Sequence, residues 1–279
     1  MHRIIYKKQL SDDVFLIRAE APLIAEARKA GQFVIVQIES EYDERIPLTI
    51  SDANEKEGWI QLIFQTVGAT THKLALLKEG DYIQNILGPL GNPTHIEKLG
   101  TVVCVGGGIG VAPLYPIAQA FKKAGNRLVV IIGARTKNLI ILEEELKAIA
   151  DEMIVCTDDG SYGRKSLVTE PLKEVCARNP APNLVVAIGP PIMMKFCAMA
   201  TRPFNIPTVV SLNTIMVDGT GMCGGCRVTV GGITKFVCVD GPEFDGHKVD
   251  FDEMMKRLRA YKRYEDAKHH ECHLKLNIR

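Results

Sequence analysis

The longest uncharged run in the chain, 99–121, leaves few folds open. It is long enough to span a bilayer, yet it carries Gly100, Gly106, Gly107, Gly108, Gly110, Pro113 and Pro116, residues that weaken or break a helix. An apolar strand that turns through glycines into a helix accounts for it better. Such a junction lets backbone and helix N-terminus approach a pyrophosphate or a nicotinamide ribose; the alternative is a tight strand-to-helix turn with no ligand. The rhythm then repeats, with 101–105, 127–133, 153–157 and 184–188 reading as strands and 111–123, 142–150, 166–177 and 192–200 as helices. Apolar strands alternating with helices predict a parallel sheet covered on both faces.

Before residue 99 the period is different. Short alternating runs at 4–8, 14–19, 33–39, 48–52 and 59–66, separated by turn residues, predict an antiparallel barrel or sandwich. A short helix at 70–78, closed by Gly80 and Asp81, precedes a last strand at 82–87. After about 210 a Cys- and Gly-rich stretch leads into a polar, amphipathic helix within 251–268. Three parts are expected, 1–98, 99–210 and 211–279. Hydrophobic residues at 46% and charged residues at 24% argue against disorder. With 34 Lys and Arg against 33 Asp and Glu, there is no electrostatic case for nucleic acid as the main partner. Charge at Arg3, Lys7 and Lys8 falls where a signal peptide needs its apolar core. The expected location is the cytoplasm, with no membrane partner.

In a reducing compartment, cysteines at close spacing more often bind metal than pair as disulfides. Four of the eight, Cys104, Cys156, Cys176 and Cys197, sit among apolar residues and read as core. The others of interest follow Asp218-Gly-Thr-Gly-Met-Cys223-Gly-Gly-Cys226, with Cys238 on the next apolar run. Plant-type iron–sulfur sites are spaced Cys-x4-Cys-x2-Cys with a distant fourth Cys, and this chain matches that spacing with Asp218 in first place. Glycines let a tight loop fold over inorganic sulfide and turn backbone N–H groups toward it. The expected ligands of a [2Fe–2S] cluster are therefore Asp218, Cys223, Cys226 and Cys238. A structural zinc site completed by a residue such as His247 is the rival, as are unligated thiols, and Asp218 also reads as a plain turn residue or cap.

Small or polar groups recur at the later strand ends, where open α/β sheets bind ligands. They are Gly133-Ala134-Arg135, Thr157-Asp158-Asp159-Gly160-Ser161 and Ala187-Ile188-Gly189-Pro190-Pro191. The first part holds three further segments: Arg45-Ile46-Pro47-Leu48-Thr49-Ile50-Ser51, Thr66-Val67-Gly68-Ala69-Thr70-Thr71 and Gly88-Pro89-Leu90-Gly91-Asn92. Each alone could be an ordinary loop.

In order along the chain, these three segments, then Gly-Gly-Gly-Ile-Gly-Val-Ala-Pro-Leu at 106–114, then the cysteine stretch, resemble the ferredoxin–NADP reductase superfamily, and within it the bacterial electron-transfer subunits. The resemblance covers essentially the whole chain. Two branches are similar: the FAD and [2Fe–2S] electron-transfer subunit of dihydroorotate dehydrogenase, and the small subunit of NADH-dependent reduced ferredoxin:NADP oxidoreductase, also known as sulfide dehydrogenase. The first carries four cysteines at its cluster and usually ends soon afterwards. The second shares Val-Asp-Gly-Thr-Gly-Met-Cys-Gly-Gly-Cys, the segment Asp240-Gly241-Pro242-Glu243-Phe244-Asp245-Gly246-His247, and a C-terminal extension, and it is the better match.

The resemblance implies an antiparallel FAD-binding barrel at 1–98, a parallel-sheet NAD(P)-binding domain at 99–210 and an iron–sulfur segment at 211–279. It implies that the Thr49 hydroxyl lies near the flavin's reactive nitrogen, that Leu48 takes an aromatic residue's place beside Pro47, and that Arg45, one residue upstream of the family pattern, lies near the pyrophosphate. Val67, Gly68 and Thr70, with Gly88, Pro89, Leu90 and Gly91, would flank the flavin. Gly107, Gly108, Gly110, Val111, Ala112 and Pro113 would form the nicotinamide site with Arg135, Asp158, Asp159, Gly160, Gly189 and Pro190. No side chain need act as acid or base in a hydride step, so Thr49 is a positioning group. The implied activity is that of an NAD(P)H-dependent ferredoxin oxidoreductase subunit in an electron-bifurcating heterodimer with a larger flavoprotein iron–sulfur subunit, reaching ferredoxin through the complex. NADH and NADPH both stay open: Arg135 suits a 2′-phosphate, Glu143 or Glu144 a ribose. A free-standing reductase and a nucleotide-sensing module with structural zinc are the competing functions. Met254, Met255, Leu258 and Tyr261, at helical spacing, read equally as a docking surface or as packing on their own domain.

Overall fold

The computed structural model describes residues 1–39 and 43–260. Its first part contains β1 (His2–Ser11), β2 (Val14–Glu20), α1 (Pro22–Ala27), β3 (Phe33–Gln37), β4 (Ile46–Asn54), β5 (Trp59–Gln65), α2 (Ala69–Leu76), β6 (Tyr82–Ile83) and β7 (Asn85–Leu90). The strands form one antiparallel sheet in the order β6-β1-β2-β5-β4-β3-β7. Its two end strands are joined by Gln84 alone, whose N–H donates to Ile38 O at 2.9 Å, so the sheet curls into a nearly closed barrel. The single strand expected at 82–87 is thus two. Closure requires the chain to leave the β1 edge and join the β3 edge, and one residue makes that step. Alternate residues turned inward, among them Ile17, Val34, Val36, Ile50, Ile60, Leu62 and Phe64, fill the interior.

The second part runs β8 (Thr101–Gly107), α3 (Val111–Lys123), β9 (Arg127–Ala134), α4 (Glu143–Lys147), β10 (Glu152–Thr157), β11 (Arg164–Lys165), α5 (Thr169–Cys176), β12 (Leu184–Ile188), α6 (Pro191–Thr201) and β13 (Thr208–Ser211). The third adds β14 (Arg227–Val230), β15 (Ile233–Phe236), α7 (Val237–Asp240), β16 (Glu243–Asp245) and α8 (Phe251–Leu258). The second seven-stranded sheet is ordered β11-β10-β9-β8-β12-β13-β16, parallel except that β16 pairs antiparallel with β13. β12 is buried throughout and β8 nearly so, which is why both read as unbroken apolar runs.

Each face of this sheet is covered by a core shared with the barrel. On one face, α3 packs with Val14, Leu16 and Ile63 of the barrel. On the other, α5, α6 and α8 pack with Phe33 and Ile35 of β3 and with Cys226 and Cys238. Phe251 and Met254 of α8 are buried in that core, with Met255 and Leu258 packed against it. The apolar stripe of this helix therefore serves its own domain. The helix ends at Leu258, short of the expected 268, and Tyr261 lies outside the described residues. No helix among the described residues is long and apolar enough to cross a membrane.

Candidate functional site

The flavin segments expected from sequence converge on β3. Phe33 faces Thr49 of β4 on one side and Leu90 of β7 on the other, so segments some forty residues apart in sequence lie on the two strands flanking β3. The third segment joins them where the Thr70 hydroxyl donates to Glu44 Oε2 at 2.7 Å, while the Val67 and Gly68 N–H groups both donate to Thr71 Oγ1 at 3.0 Å. Pro47 and Thr49 are half-buried on β4, Leu48 packs toward the barrel core, and Arg45 is exposed just before the strand. Glu44, which holds Thr70, escaped sequence reasoning; its only signal was adjacency to Arg45. At Gly88 a Cβ would lie 2.7 Å from Val34 Cγ1, so this glycine lets β7 lie flat against β3.

The nicotinamide segments meet where the strand order reverses. β8 and β12 are neighbours, with Gly106 opposite Ile188, and their following helices run to opposite faces of the sheet. Open α/β sheets bind ligands at this reversal, beyond the carboxyl ends of the strands. The 3-10 turn Gly108–Gly110 crosses the end of β12 so closely that a Cβ on Gly110 would lie 2.4 Å from Ile188 O and 2.6 Å from Gly189 Cα. Gly107 and Gly189 are likewise closed in by Met193, whereas Gly108, at φ +55°, faces open space. The bare backbone offered to a ligand is thus at Gly108, with Pro113 half-buried and Pro190 exposed beside it; Val111 and Ala112 are buried.

At neighbouring strand ends Arg135, Asp158, Asp159 and Gly160 are exposed. Asp159 Oδ1 accepts from the Ser161 N–H at 2.9 Å and its hydroxyl at 2.7 Å, and Ser161 Oγ accepts from the Lys137 N–H at 2.9 Å. These bonds hold the Asp159 carboxylate below its ordinary range. Glu143 accepts the Tyr162 hydroxyl at 2.9 Å. Arg135 makes no side-chain hydrogen bond or ion pair among the described residues. Lys137 and Tyr162 are additions that only the folded loops reveal.

The four expected cluster ligands form two pairs. The Cys223 thiol donates to Asp218 Oδ1 at 3.1 Å, and the Cys226 and Cys238 sulfurs are 3.2 Å apart. No three His, Cys, Asp or Glu side chains converge on a single ion site among the described residues. Zinc needs four donors around one ion, whereas a [2Fe–2S] centre needs two at each of two irons. The paired donors fit the two-iron group. His247 is engaged elsewhere, with Nε2 2.9 Å from Thr201 Oγ1, so it does not complete a zinc site. Burial and the adjacent Cys226 push the Cys238 thiol up to about 12, so a thiolate there needs a cation to hold it. Cys104, Cys156, Cys176 and Cys197 are buried in apolar cores, as expected, and burial raises all four thiols.

The cluster loop is seated directly on the barrel. A Cβ on Gly219 would lie 2.7 Å from Ile35 Cγ1 and 2.8 Å from Leu90 Cδ1. The Asn92 N–H donates to Gly241 O at 2.6 Å, and its side-chain amide to Val239 O at 3.1 Å. The candidate flavin segment 88–92 and the candidate cluster loop therefore share contacts, and the crevice at the sheet's reversal opens beside the same barrel, against which α3 packs through β4.

Barrel, parallel sheet with a glycine turn at its reversal, and a paired-donor loop define a two-domain reductase carrying an appended metal-cluster segment. The cytochrome b5 reductase domain of Ulva prolifera nitrate reductase has this fold at a TM-score of 0.60, with 20% identity over 74% of this chain and 92% of that one. The profile of the iron–sulfur cluster binding domain of dihydroorotate dehydrogenase B matches residues 213–250, and that of the oxidoreductase NAD-binding domain matches 104–199. A Thermotoga maritima protein named dihydroorotate dehydrogenase B (NAD(+)), electron transfer subunit homolog is 49% identical over 95% of this chain and 93% of its own. A chain in the structure of an NADH-dependent reduced ferredoxin–NADP oxidoreductase, described in connection with flavin-based electron bifurcation, aligns at a TM-score of 0.91, with 47% identity and 97% coverage of both chains. The chain belongs to the electron transfer subunit family of dihydroorotate dehydrogenase B and NADH-dependent reduced ferredoxin–NADP oxidoreductase.

Proposed function

We propose that this chain is the FAD- and [2Fe–2S]-bearing subunit of a cytoplasmic NADH-dependent reduced ferredoxin–NADP oxidoreductase, working with a larger flavoprotein subunit. The observation that carries the reading is the direct seating of Gly219 on Ile35 and Leu90, which joins the candidate cluster loop to the candidate flavin strands. When bound, nicotinamide supplies two electrons as a hydride, the cluster accepts one at a time, and the flavin links the two.

The protein's own residues bind and orient. Thr49 supplies a hydroxyl toward the flavin from β4, and Gly88, Pro89, Leu90 and Gly91 line its other side, with Val67, Gly68, Thr70 and Arg45 closing the end. The Gly108 turn and α3 N-terminus receive the nicotinamide nucleotide, with Gly189 and Pro190 opposite and Arg135, Asp158, Asp159 and Gly160 at the rim. Asp218, Cys223, Cys226 and Cys238 would hold the cluster, Asp218 lying beside Cys223 and Cys226 beside Cys238. In this reading 1–98 binds FAD, 99–210 binds NAD(H) and 211–279 carries the cluster.

Service to a dihydroorotate dehydrogenase is the second reading, favoured by the profile match at 213–250. Purification with and without a larger flavoprotein partner subunit, followed by flavin, iron and sulfide analysis and nicotinamide titration, tests both. The first reading expects FAD, two irons and two sulfides per small subunit, tighter binding of NADH than NADPH, and ferredoxin-linked turnover only in the assembly. Dihydroorotate-linked turnover of the assembly would replace it with the second, and colourless protein holding zinc would sink both.

A further inference from the structure

After Cys238 the chain returns to the barrel, and one carboxyl group sits in the seam. Glu243 lies on β16 opposite Ser211 of β13, directly after Pro242, whose carbonyl accepts the Leu212 N–H at 2.9 Å. Its Oε1 accepts the Thr94 hydroxyl at 2.6 Å, two residues beyond Asn92 of the flavin loop. The Thr94 N–H donates in turn to Ala30 O at 2.9 Å. Gly31, at φ +85°, leaves the space for this meeting: a Cβ there would fall 2.3 Å from Thr94 Oγ1 and 3.1 Å from Glu243 Oε1. The loop before β3, the flavin loop and the returning cluster arm therefore converge on a single side-chain hydrogen bond.

We propose that the Thr94–Glu243 contact is the pin that fixes the cluster arm on the flavin loop, that it holds in one protonation state of the carboxyl, and that Glu243 is thereby a positioning residue for one-electron passage. This rests on the function proposed above for the two sites.

The surroundings support the choice of state. Burial pushes the Glu243 carboxyl up to about 7, and the Thr94 bond offsets this only in part. Among the described residues, no cation faces it from the packed elements. On the loop before β3, Arg28 pairs with Asp52 and Lys29 is exposed. His95, beyond Thr94, pairs with Glu97. On β16 and just after it, Asp245 pairs with Lys248, and across the seam in β8 the nearest titratable group is the buried Cys104 thiol. The neutral acid thus suits the seated arm, and ionisation places in the half-buried seam a charge that only the Thr94 hydroxyl offsets, which loosens it.

The test uses the purified protein with its flavin and cluster bound, as wild type, Glu243→Gln and Thr94→Val. Rapid mixing with NADH from pH 6 to pH 8 follows flavin bleaching and cluster reduction separately, and amide exchange of 88–94 and 237–245, corrected for intrinsic rates, reports the seating of the arm. If only the protonated form is competent, the wild-type cluster step falls about tenfold between pH 6 and pH 8, following the titration of a group near 7, while hydride transfer does not follow it. Glu243→Gln, which keeps an acceptor for Thr94 without a charge, holds the low-pH rate and low exchange across the range. Thr94→Val raises exchange at every pH. A Glu243→Gln profile that retains the wild-type pH dependence, in cluster reduction or in exchange, would overturn the pin. Absence of flavin or cluster would instead sink the function proposed above, and the exchange measurement would still decide the pin.

Discussion

Asp218 divides its two carboxylate oxygens between two tasks. Oδ2 accepts the Met222 N–H at 2.9 Å, the Cys223 N–H at 3.3 Å and the Thr220 hydroxyl at 3.0 Å, while Oδ1 faces the Cys223 thiol. These donors, the thiol foremost, hold the carboxyl down to about 2, so it is ionised throughout the physiological range. The turn-residue and ligand readings of Asp218 are therefore compatible, one on each oxygen. Asp218→Cys should keep iron and sulfide with a shifted potential, since a softer donor of the same charge replaces the oxygen. Asp218→Ala should lower iron and sulfide content and broaden the EPR of the reduced protein; unchanged stoichiometry and spectrum would leave Asp218 a turn residue only. Thr49→Val should retain flavin but slow its reduction by up to about tenfold, because one neutral hydrogen bond contributes about 0.5–1.5 kcal/mol. For Glu243 the folded-state value lies above the ordinary 4.5, at about 7. Its contribution to stability is complete below pH 4.5 and is lost as pH rises through 7. Glu243→Gln should therefore flatten the fall in melting temperature between pH 5 and pH 8, measured by calorimetry.

At the scale of elements, the turn between β8 and α3 distinguishes two glycines that look alike in sequence. Gly110 is pressed against the end of β12, so Gly110→Ala should separate β8 from β12 and cost about 1–3 kcal/mol or more, as overpacking does. Gly108 faces open space but lies at φ +55°, so Gly108→Ala should cost only the left-handed penalty of about 1–2 kcal/mol while hindering nucleotide approach. Chemical denaturation together with NADH titration separates the two: Gly110→Ala is expected to lose stability foremost, Gly108→Ala affinity. The C-terminal helix sets another contrast. Truncation before Phe251 removes two buried core side chains, Phe251 and Met254, each contributing about 2–5 kcal/mol, and should destabilise the whole chain. Truncation after Ala260 keeps Phe251 and Met254 in the chain and, with the larger subunit titrated in, tests whether residues 261–279 contribute to association.

Across the whole molecule, the cores on both faces of the parallel sheet include barrel residues, Val14, Leu16 and Ile63 on one side and Phe33 and Ile35 on the other. Barrel, sheet and cluster segment should therefore unfold in one cooperative transition. Separate calorimetric transitions for the barrel and the α/β part would contradict this. Flavin released by acid should run as FAD, since the segment 88–92 and Arg45 offer a site on the pyrophosphate's scale beside the barrel strand; FMN alone would remove that reading.

The sequence by itself determined the main elements of 1–210 and their kinds, though not α1, β11 or β13, nor the short strands after residue 226. Inside-facing periodicity marked the barrel strands, unbroken apolar runs marked β8 and β12, and helix α3 fell at 111–123 as expected. Spacing alone marked Asp218, Cys223, Cys226 and Cys238 as candidate ligands, and the fold pairs Asp218 with Cys223 and Cys226 with Cys238. What it left undecided depends on contacts distant in the chain. The split of one strand into β6 and β7 follows from barrel closure, and β16 joins the mostly parallel sheet only because the chain turns back after Cys238. The Glu44 contact with Thr70 and the Glu243 contact with Thr94 link residues 26 and 149 positions apart. A periodic pattern reports which side of an element is buried, but which partner buries it is settled only when the tertiary fold brings the surfaces together.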